Sequence, residues 1–234
     1  MIHEHRFDSR ESLYNQVYGM VVDAITDDLQ TSGQACLLLS GGASPQPLYQ
    51  RLSTALVDWQ RVTVALVDER WVEPDHPASN ERLIRQTLRQ NNASECALIG
   101  MKTPASTPFA GERECQQSYA NLTRPYTFCL LGMGDDGHIA SLFPHAEGLE
   151  VALHSQQLCA GIQAQPSPTT SGILQRMTMT PWAFLQATKV VLLILGEEKW
   201  QVYQQAREPG PVADMPVRAL WEQPDVDVEV FWAP

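Results

Sequence analysis

Short apolar runs alternate with longer amphipathic stretches along most of this chain. Four of the runs are almost continuously apolar, as in strands covered on both faces of a sheet; they span residues 35–39, 62–67, 127–131 and 189–195. Residues 9–30 instead carry apolar side chains at helical spacing. Strands that alternate with helices are typical of βαβ units. The pattern therefore predicts one α/β domain over residues 1–234, with a mostly parallel, Rossmann-like sheet flanked by helices.

Capping residues and glycines delimit the other elements. Ser44 and Pro45 fit an N-cap and a first helical position, and Ser79 is placed to cap another helix. Residues 91–111 are weakly patterned. The predicted helices cover 45–56, 79–89 and 112–122, a short helix starts at 180–181, another follows Gly196, and a strand over 226–231 closes the chain.

Polar or glycine-rich loops follow four of the predicted strands at their carboxyl ends. In open α/β sheets, ligands bind beyond these ends of the strands. We therefore expect the four loops to meet at one pocket. They are SGGAS at 40–44, DERW at 68–71, GMGDDGH at 132–138 and GEEK at 196–199.

The first loop places Ser40, Gly41 and Gly42 between a strand and a helix. Free backbone N–H groups in such a turn favour an anion, so the loop is a candidate phosphate cradle. A plain strand-to-helix connector explains the same residues about equally well. No G-K-[ST] follows the loop and it lacks G-x-G-x-x-G spacing, which disfavours nucleotide binding.

The second loop follows an apolar strand with Asp68, Glu69 and Arg70. The guanidinium of Arg70 offers a planar fork of donors that suits a phosphate. A solvated charged turn with an internal ion pair is the alternative interpretation.

The third loop carries the most chemistry. It brings His138 and Asp136 together with Gly134, a residue that permits close approach to the backbone. A histidine in this position can act as a general base near neutral pH, with Asp136 or Asp68 to orient it. The alternative is a structural turn in which the histidine caps a backbone group.

Arg176 and Lys199 are the remaining cationic candidates for the pocket, although either one alone is typical of a surface charge. The other five histidines form no cluster with metal-ligand spacing. We therefore expect neither a catalytic metal nor a cofactor.

Composition narrows the function classes. The 234 residues are 44% hydrophobic, enough for a sizeable core, and no apolar stretch approaches the ~20 residues that span a bilayer. The start of the chain does not resemble a signal peptide, so we expect a cytoplasmic protein without membrane contact. A formal charge of −11 disfavours nucleic acid but permits a small anion in a locally basic pocket. Five widely spaced cysteines predict mostly buried, reduced thiols.

Taken together, the motifs resemble the 6-phosphogluconolactonase family over nearly the whole chain. The stretch around His138, with its S-L-F-P ending, is the most specific. Glucosamine-6-phosphate deaminases share the D-G-H core but usually have D-E-Y in place of D-E-R at 68–70. The motifs are S-G-G-A-S-P at 40–45, D-E-R-W-V at 68–72, H-P-A-S-N at 76–80, G-M-G-D-D-G-H-I-A-S-L-F-P at 132–144, R-M-T at 176–178 and G-E-E-K at 196–199.

The resemblance implies the fold of glucosamine-6-phosphate deaminases and ribose-5-phosphate isomerases. It also implies metal-free hydrolysis of 6-phospho-D-glucono-1,5-lactone in the pentose phosphate pathway, with His138 activating water. By the same resemblance Asp68 faces the sugar. The residues that would bind the phosphate or lie near it are Gly41, Gly42, Arg70, Lys199, Arg176 and Asn80.

Two departures from the family pattern and two other functions stay open. Ile139 stands where lactonases more often have threonine, and Val217-Arg218 stands where small residues are commoner, a change expected to alter only the surface. The other functions are an amino-sugar-phosphate deaminase or isomerase, and a non-catalytic sugar-phosphate sensor. The sequence is compatible with a monomer or a small homo-oligomer. Loops 72–80 and 164–172 can be either lids that close over the substrate or static surface loops.

Overall fold

A seven-stranded sheet, parallel throughout, forms the centre of the computed structural model, which describes residues 1–223 and 226–234. Its strands are β1 (Ile2–Arg6), β2 (Ala35–Leu39), β3 (Val62–Leu66), β5 (Ala97–Ile99), β6 (Phe128–Gly132), β9 (Val190–Leu195) and β10 (Val228–Ala233). They lie in the order β1-β10-β9-β6-β2-β3-β5. The inner strands are buried along almost their whole length, which is why the sequence shows them as apolar runs.

A second, antiparallel sheet of three strands was not predicted. It consists of β4 (Asp68–Arg70), β7 (Cys159–Gln163) and β8 (Gln175–Met179), in the order β4-β8-β7. The predicted polar loop at 68–71 is therefore largely a strand. Its register pairs Arg70 with Arg176 of β8, which sets two cationic side chains next to each other.

Seven α-helices surround the sheets among the described residues. Helix α1 begins after Ser9, whose side chain accepts a hydrogen bond from the backbone N–H of Ser12, and it buries a stripe of apolar residues. Ser79 caps α3 in the same way, as predicted. The helices are α1 (Arg10–Thr31), α2 (Gln46–Leu52), α3 (Asn80–Thr87), α4 (Pro108–Ala120), α5 (Leu149–His154), α6 (Pro181–Phe184) and α7 (Glu197–Arg207).

Several predicted boundaries were wrong for local reasons. Helix α2 ends at Leu52 instead of residue 56, and α4 begins at Pro108, where Thr107 supplies the N-cap within a weakly patterned segment. The closing strand starts at Val228 instead of residue 226. Strand β1 was missed because it lies at the edge of the sheet with most of its side chains exposed, which removes the apolar signal.

The five cysteines are buried and unpaired, as predicted for most of them. Burial raises the pKa of Cys36 to about 12 and that of Cys96 to about 11, so both are protonated thiols near neutral pH. Within the described part of the chain, no helix is both long and apolar enough to cross a membrane.

Candidate active site

A cavity of about 370 Å³ opens where the carboxyl ends of the central strands meet the second sheet. It is lined by the loops after β2 and β6, by β4 and β8, by the first turns of α3 and α7, and by residues from loop 164–172. Every predicted site residue except Asp136 lines it. The four predicted loops therefore do converge, and the members that line the cavity are Ser40, Gly41, Gly42, Asp68, Arg70, Asn80, Gly134, His138, Arg176 and Lys199.

His138 sits on a tight turn that fixes its imidazole ring. The backbone N–H of Gly134 donates to the His138 carbonyl at 2.9 Å, and that of Gly137 donates to the Gly134 carbonyl at 3.0 Å. A Cβ atom at Gly134 would lie 2.1 Å from ring atoms of His138, so only glycine lets the ring lie against the backbone. The N–H of Gly134 already donates to the His138 carbonyl, and the missing side chain of this glycine makes room for the imidazole.

Asp136 lies behind the imidazole, out of the cavity lining. Its Oδ1 is 2.5 Å from Nδ1 of His138 and also accepts the His138 backbone N–H at 3.1 Å. Burial alone would raise the pKa of Asp136, but the contacts with His138 and Thr169 outweigh it and lower the pKa to about 2. The carboxylate is therefore anionic, which favours a proton on Nδ1 and leaves Nε2 as the basic nitrogen.

The face of the imidazole is held as well. The ring of Phe143 packs on that of His138 with centroids 4.2 Å apart, and the guanidinium carbon of Arg176 lies 5.3 Å from the Phe143 centroid. Within residues 1–223 and 226–234, Nε2 of His138 has no hydrogen-bond partner. The ring is thus oriented at Nδ1 and on its face, while the nitrogen that can take a proton is free.

Two arginines meet at the wall formed by β4 and β8. Arg176 is only 3% exposed; its Nε and Nη2 donate to the carbonyls of Ile173 and Thr170, each at 3.0 Å. Burial, with the neighbouring Arg70 guanidinium, lowers the pKa of Arg176 to about 10, so it keeps its charge. Arg70 donates to the Ala78 carbonyl at 2.5 Å, and its buried Nε has no hydrogen-bond partner in the described part of the chain.

Neither arginine forms an ion pair with a carboxylate among the residues that the structure describes. The two like charges repel each other and favour an anion at this wall of the cavity, although the carboxylates of Asp68 and Glu69 act on Arg176 in the opposite sense. The alternative interpretation of Arg70 as part of a solvated turn with an internal ion pair is therefore wrong.

Lys199 adds a third cation at the start of α7. Its Nζ donates to the carbonyl of Met133 at 2.7 Å and lies 3.8 Å from the exposed carboxylate of Asp135. The side chain is about one-third exposed and lines the cavity. The cavity thus combines three cations with His138, although the chain as a whole is strongly acidic.

The glycine loop after β2 forms another part of the wall. A Cβ atom at Gly41 would lie 1.9 Å from Oδ1 of Asn80, and Gly42 has a φ of +94°, which side chains rarely adopt. The hydroxyl of Ser40 and Oδ1 of Asn80 are buried and have no hydrogen-bond partner among residues 1–223 and 226–234. Buried polar atoms of this kind are expected to bond to a ligand or to water.

The three charged side chains of β4 alternate between the two faces of the strand and have different partners. Asp68 and Arg70 point to the cavity, whereas Glu69 points away from it. The carboxylate of Glu69 accepts the backbone N–H groups of Asn80 and Glu81 at 2.8 and 2.9 Å, and so holds the first turn of α3. Burial raises the pKa of Glu69 to about 7, against these hydrogen bonds that favour the ionised form.

Asp68 is fixed from two sides. Its Oδ2 accepts the hydroxyl of Ser141 at 2.6 Å, and Nδ2 of Asn80 donates to its backbone carbonyl at 2.9 Å. This network places Asp68 and Asn80 side by side at the cavity, with the unpartnered Oδ1 of Asn80 near Gly41.

Comparison with known proteins assigns the chain to a family. The sequence profile described as "Glucosamine-6-phosphate isomerases/6-phosphogluconolactonase" matches residues 8–232. The chain belongs to this family. A 6-phosphogluconolactonase of Pseudomonas aeruginosa is 37% identical over 217 residues, covering 92% of this chain and 87% of its own. One from Rhizobium meliloti is 33% identical over 230 residues, covering 98% of both chains.

Solved structures agree with the sequence relatives. A crystal structure described as a 6-phosphogluconolactonase from Shewanella baltica superposes with a TM-score of 0.94 at 38% identity, covering 100% of this chain and 98% of the other. A monomeric glucosamine-6-phosphate deaminase superposes with a TM-score of 0.80 at 20% identity, covering 99% and 97%, which shows the shared fold alone. The predicted fold, family and enzyme class are therefore confirmed: this family member is an enzyme of the 6-phosphogluconolactonase type.

The two departures from the family pattern lie outside the cavity. Ile139 is fully buried and does not line the cavity. Arg218 is only 8% exposed, so the expectation that it alters only the surface was wrong. Its guanidinium donates to carbonyls at the end of α7, including those of Ala206 and Glu208, each at 3.1 Å. Arg218 therefore caps α7 from within the fold.

Sequence reasoning missed several residues of this family member's site. Phe143 lies in the S-L-F-P ending of the third motif, but nothing local shows that it packs on His138. Thr169 and Ser171 come from loop 164–172 and line the cavity. The hydroxyl of Thr169 contacts Asp136, which lies 33 residues away in sequence, so only the fold reveals the position of this loop at the site.

Proposed function

We propose that this protein hydrolyses 6-phospho-D-glucono-1,5-lactone to 6-phospho-D-gluconate, with His138 as the base that activates water. One cavity holds both an oriented imidazole and an arginine pair, and this joint presence is the observation that carries the proposal. Among the described residues, Nε2 of the imidazole has no hydrogen-bond partner and neither arginine forms an ion pair with a carboxylate. A phosphorylated lactone needs both groups, the imidazole at its carbonyl carbon and the arginines at its phosphate.

In the proposed reaction Nε2 of His138 takes a proton from water as the oxygen attacks the lactone carbonyl carbon. A tetrahedral oxyanion forms. Its collapse breaks the bond between the carbonyl carbon and the ring oxygen, and the imidazolium returns its proton to that oxygen, which leaves as a hydroxyl. Asp136, with its pKa of about 2, stays anionic throughout and stabilises the imidazolium.

We assign phosphate binding to Arg70 and Lys199 with the glycine loop at Gly41 and Gly42, and place Arg176 beside them. A dianionic phosphate would relieve the repulsion between the two guanidiniums and provide an acceptor for the unpartnered Nε of Arg70. Anchoring the phosphate fixes the reacting carbon, which converts binding energy into correct orientation.

Asp68 and Asn80, with Ser40, are assigned to the sugar hydroxyls. The held carboxylate of Asp68 can accept from a hydroxyl, and the unpartnered Oδ1 of Asn80 and the hydroxyl of Ser40 can bond to others. Each of these side chains is buried, so a sugar that lacked its partner group would leave a buried polar atom unsatisfied.

The test is hydrolysis of freshly generated 6-phosphogluconolactone, followed by proton release and corrected for spontaneous opening. The His138→Gln variant is expected to lose about 10²- to 10⁴-fold in kcat with little change in KM, because it removes a general base without removing the phosphate anchor. His145→Gln is the matched control, since His145 is 66% exposed and lies outside the cavity.

Two further substrates separate the alternatives. Unphosphorylated gluconolactone should be a much poorer substrate through a raised KM, since it cannot engage Arg70. Glucosamine 6-phosphate should release no ammonia. If the wild type does not exceed the spontaneous rate, or if His138→Gln keeps near-full turnover, the proposal fails; ammonia release would instead assign the site to deamination.

A further inference from the structure

Loop 164–172 contacts the carboxylate that orients His138. The hydroxyl of Thr169 donates to Oδ2 of Asp136 at 2.7 Å. The other oxygen of that carboxylate, Oδ1, lies within hydrogen-bond distance of the ring Nδ1 and of the backbone nitrogen of His138. Within the described residues, Thr169 is the single hydrogen-bond donor to Oδ2. Both oxygens of the Asp136 carboxylate are therefore hydrogen-bonded, Oδ1 to His138 and Oδ2 to Thr169 of the loop.

The loop itself is held in place, so the position of Thr169 is defined. Ser167 and Thr170 form a reciprocal capping box over a short 3-10 turn, and Thr170 is 1% exposed. Arg176 donates to the carbonyls of Thr170 and Ile173. The hydroxyls of Ser167 and Thr169 are 2.8 Å apart, so Ser167 can donate to the Thr169 oxygen while Thr169 donates to Asp136.

We propose that Thr169 is a positioning residue for the base: its hydroxyl holds Asp136 in the orientation that keeps the proton of neutral His138 on Nδ1. This inference rests on the proposed function in one respect only, namely that Nε2 of His138 must be unprotonated to act on water. The link between Thr169 and the tautomer can be measured without any substrate.

The physical reason is rotation of the carboxylate. Without a donor at Oδ2, the carboxylate of Asp136 can rotate about its terminal torsion, for which carboxylates have a broad range of angles. The hydrogen bond between Oδ1 and Nδ1 is then broken in part of the population. The position of the imidazole proton depends on the partner of Nδ1, so loss of that partner allows the proton to move to Nε2. When the imidazole proton is on Nε2, that nitrogen cannot accept a proton from water.

The decisive experiment measures the tautomer of His138 by ¹⁵N NMR of the imidazole nitrogens, in the full-length protein at a pH where the ring is neutral. Wild type should show protonated Nδ1 and bare Nε2. Thr169→Val, which keeps the shape but lacks the hydroxyl, should give averaged ¹⁵N shifts from both tautomers. Thr169→Ser, which restores the hydroxyl, should return the wild-type shifts.

Kinetics provide the second readout. Thr169→Val is expected to lower kcat about tenfold while KM stays within about twofold, because a hydrogen bond to a charged group is lost from the base and not from the phosphate anchor. Thr169→Ser should recover kcat to within about twofold of wild type. Thr87→Val is a matched control, because it removes a hydroxyl that donates within α3, outside the cavity.

Two results would overturn the inference. One is a Thr169→Val protein with wild-type ¹⁵N shifts. The other is failure of Thr169→Ser to restore either the shifts or kcat, which would mean that the loop acts through packing and not through the hydroxyl. If the tautomer responds as expected but the wild type does not hydrolyse the lactone, the positioning role stands and the proposed function fails.

Discussion

Replacement of Asp136 by asparagine tests how strongly the folded protein favours the charged form of this carboxylate. The pKa of Asp136 falls from an ordinary value of 3.8 to about 2 in the folded protein. Each pKa unit corresponds to about 1.4 kcal/mol, so the ionised side chain stabilises the native state by about 2 kcal/mol near neutral pH. The side chain is 29% exposed, so solvent screens this interaction only in part. Asp136→Asn keeps the shape and loses the charge.

The sign of the pH dependence follows from the lowered pKa. A group whose pKa is depressed on folding contributes its stability above the unfolded pKa and loses it as the pH falls through the folded pKa. The gap in unfolding free energy between wild type and Asp136→Asn should therefore be about 2 kcal/mol from pH 7 to pH 5. At pH 3, between the two pKa values, it should have shrunk to about 1 kcal/mol.

Urea unfolding followed by tryptophan fluorescence at pH 7, 5 and 3 measures this gap. Asp135→Asn makes the same change one residue away on a side chain that is 69% exposed, and it should alter stability by less than about 0.5 kcal/mol. A gap for Asp136→Asn that is absent at pH 7, or that does not narrow at pH 3, would refute the argument. In the hydrolysis assay the same variant should lose at least about 100-fold in kcat, because the imidazolium loses its anionic partner.

Three other substitutions test separate parts of the site. Gly134→Ala should fold but lose about 100-fold in kcat, because its Cβ would occupy the place of the His138 ring; wild-type turnover would contradict this. Glu69→Ala should lower the unfolding free energy by about 2–4 kcal/mol in urea, since two buried N–H groups of α3 lose their acceptor, whereas Glu73→Ala, with a 74% exposed side chain, should not. Arg218→Met should cost about 2 kcal/mol in the same measurement through uncapped carbonyls at the end of α7, and an unchanged midpoint would show that water replaces it.

The central sheet could be predicted from the sequence because its inner strands are covered on both faces. Residues 35–39 and 190–195 are buried almost without interruption, and this produces apolar runs with no alternation. Parallel strands also end at a common edge, so loops that follow them meet in space whatever their distance along the chain. That geometry is the reason why the sequence alone predicts His138 and Arg70 in one pocket.

The antiparallel sheet could not be predicted in the same way. Strand β4 is only three residues long and entirely charged, and β8 begins with the polar Gln175 and Arg176. Their pairing depends on a contact between segments about 100 residues apart, and no local preference encodes it. Thr169 was missed for a related reason: a Pro- and Ser/Thr-rich run is typical of a surface loop, and the contact that brings Thr169 to the site is with Asp136, 33 residues away.

The position of β4 also explains why one short motif carries so much of the site. In a strand, neighbouring side chains point to opposite faces, so D-E-R delivers Asp68 and Arg70 to the cavity and sends Glu69 to the start of α3. Glu69 then fixes Asn80, which lies against Gly41 of the glycine loop. A loop with the same three residues would have no such alternation. The functions of the three charged residues therefore depend on the strand. A residue inserted into or deleted from 68–70 would shift the alternation by one, so that side chains now facing the cavity would face α3 and Glu69 would face the cavity.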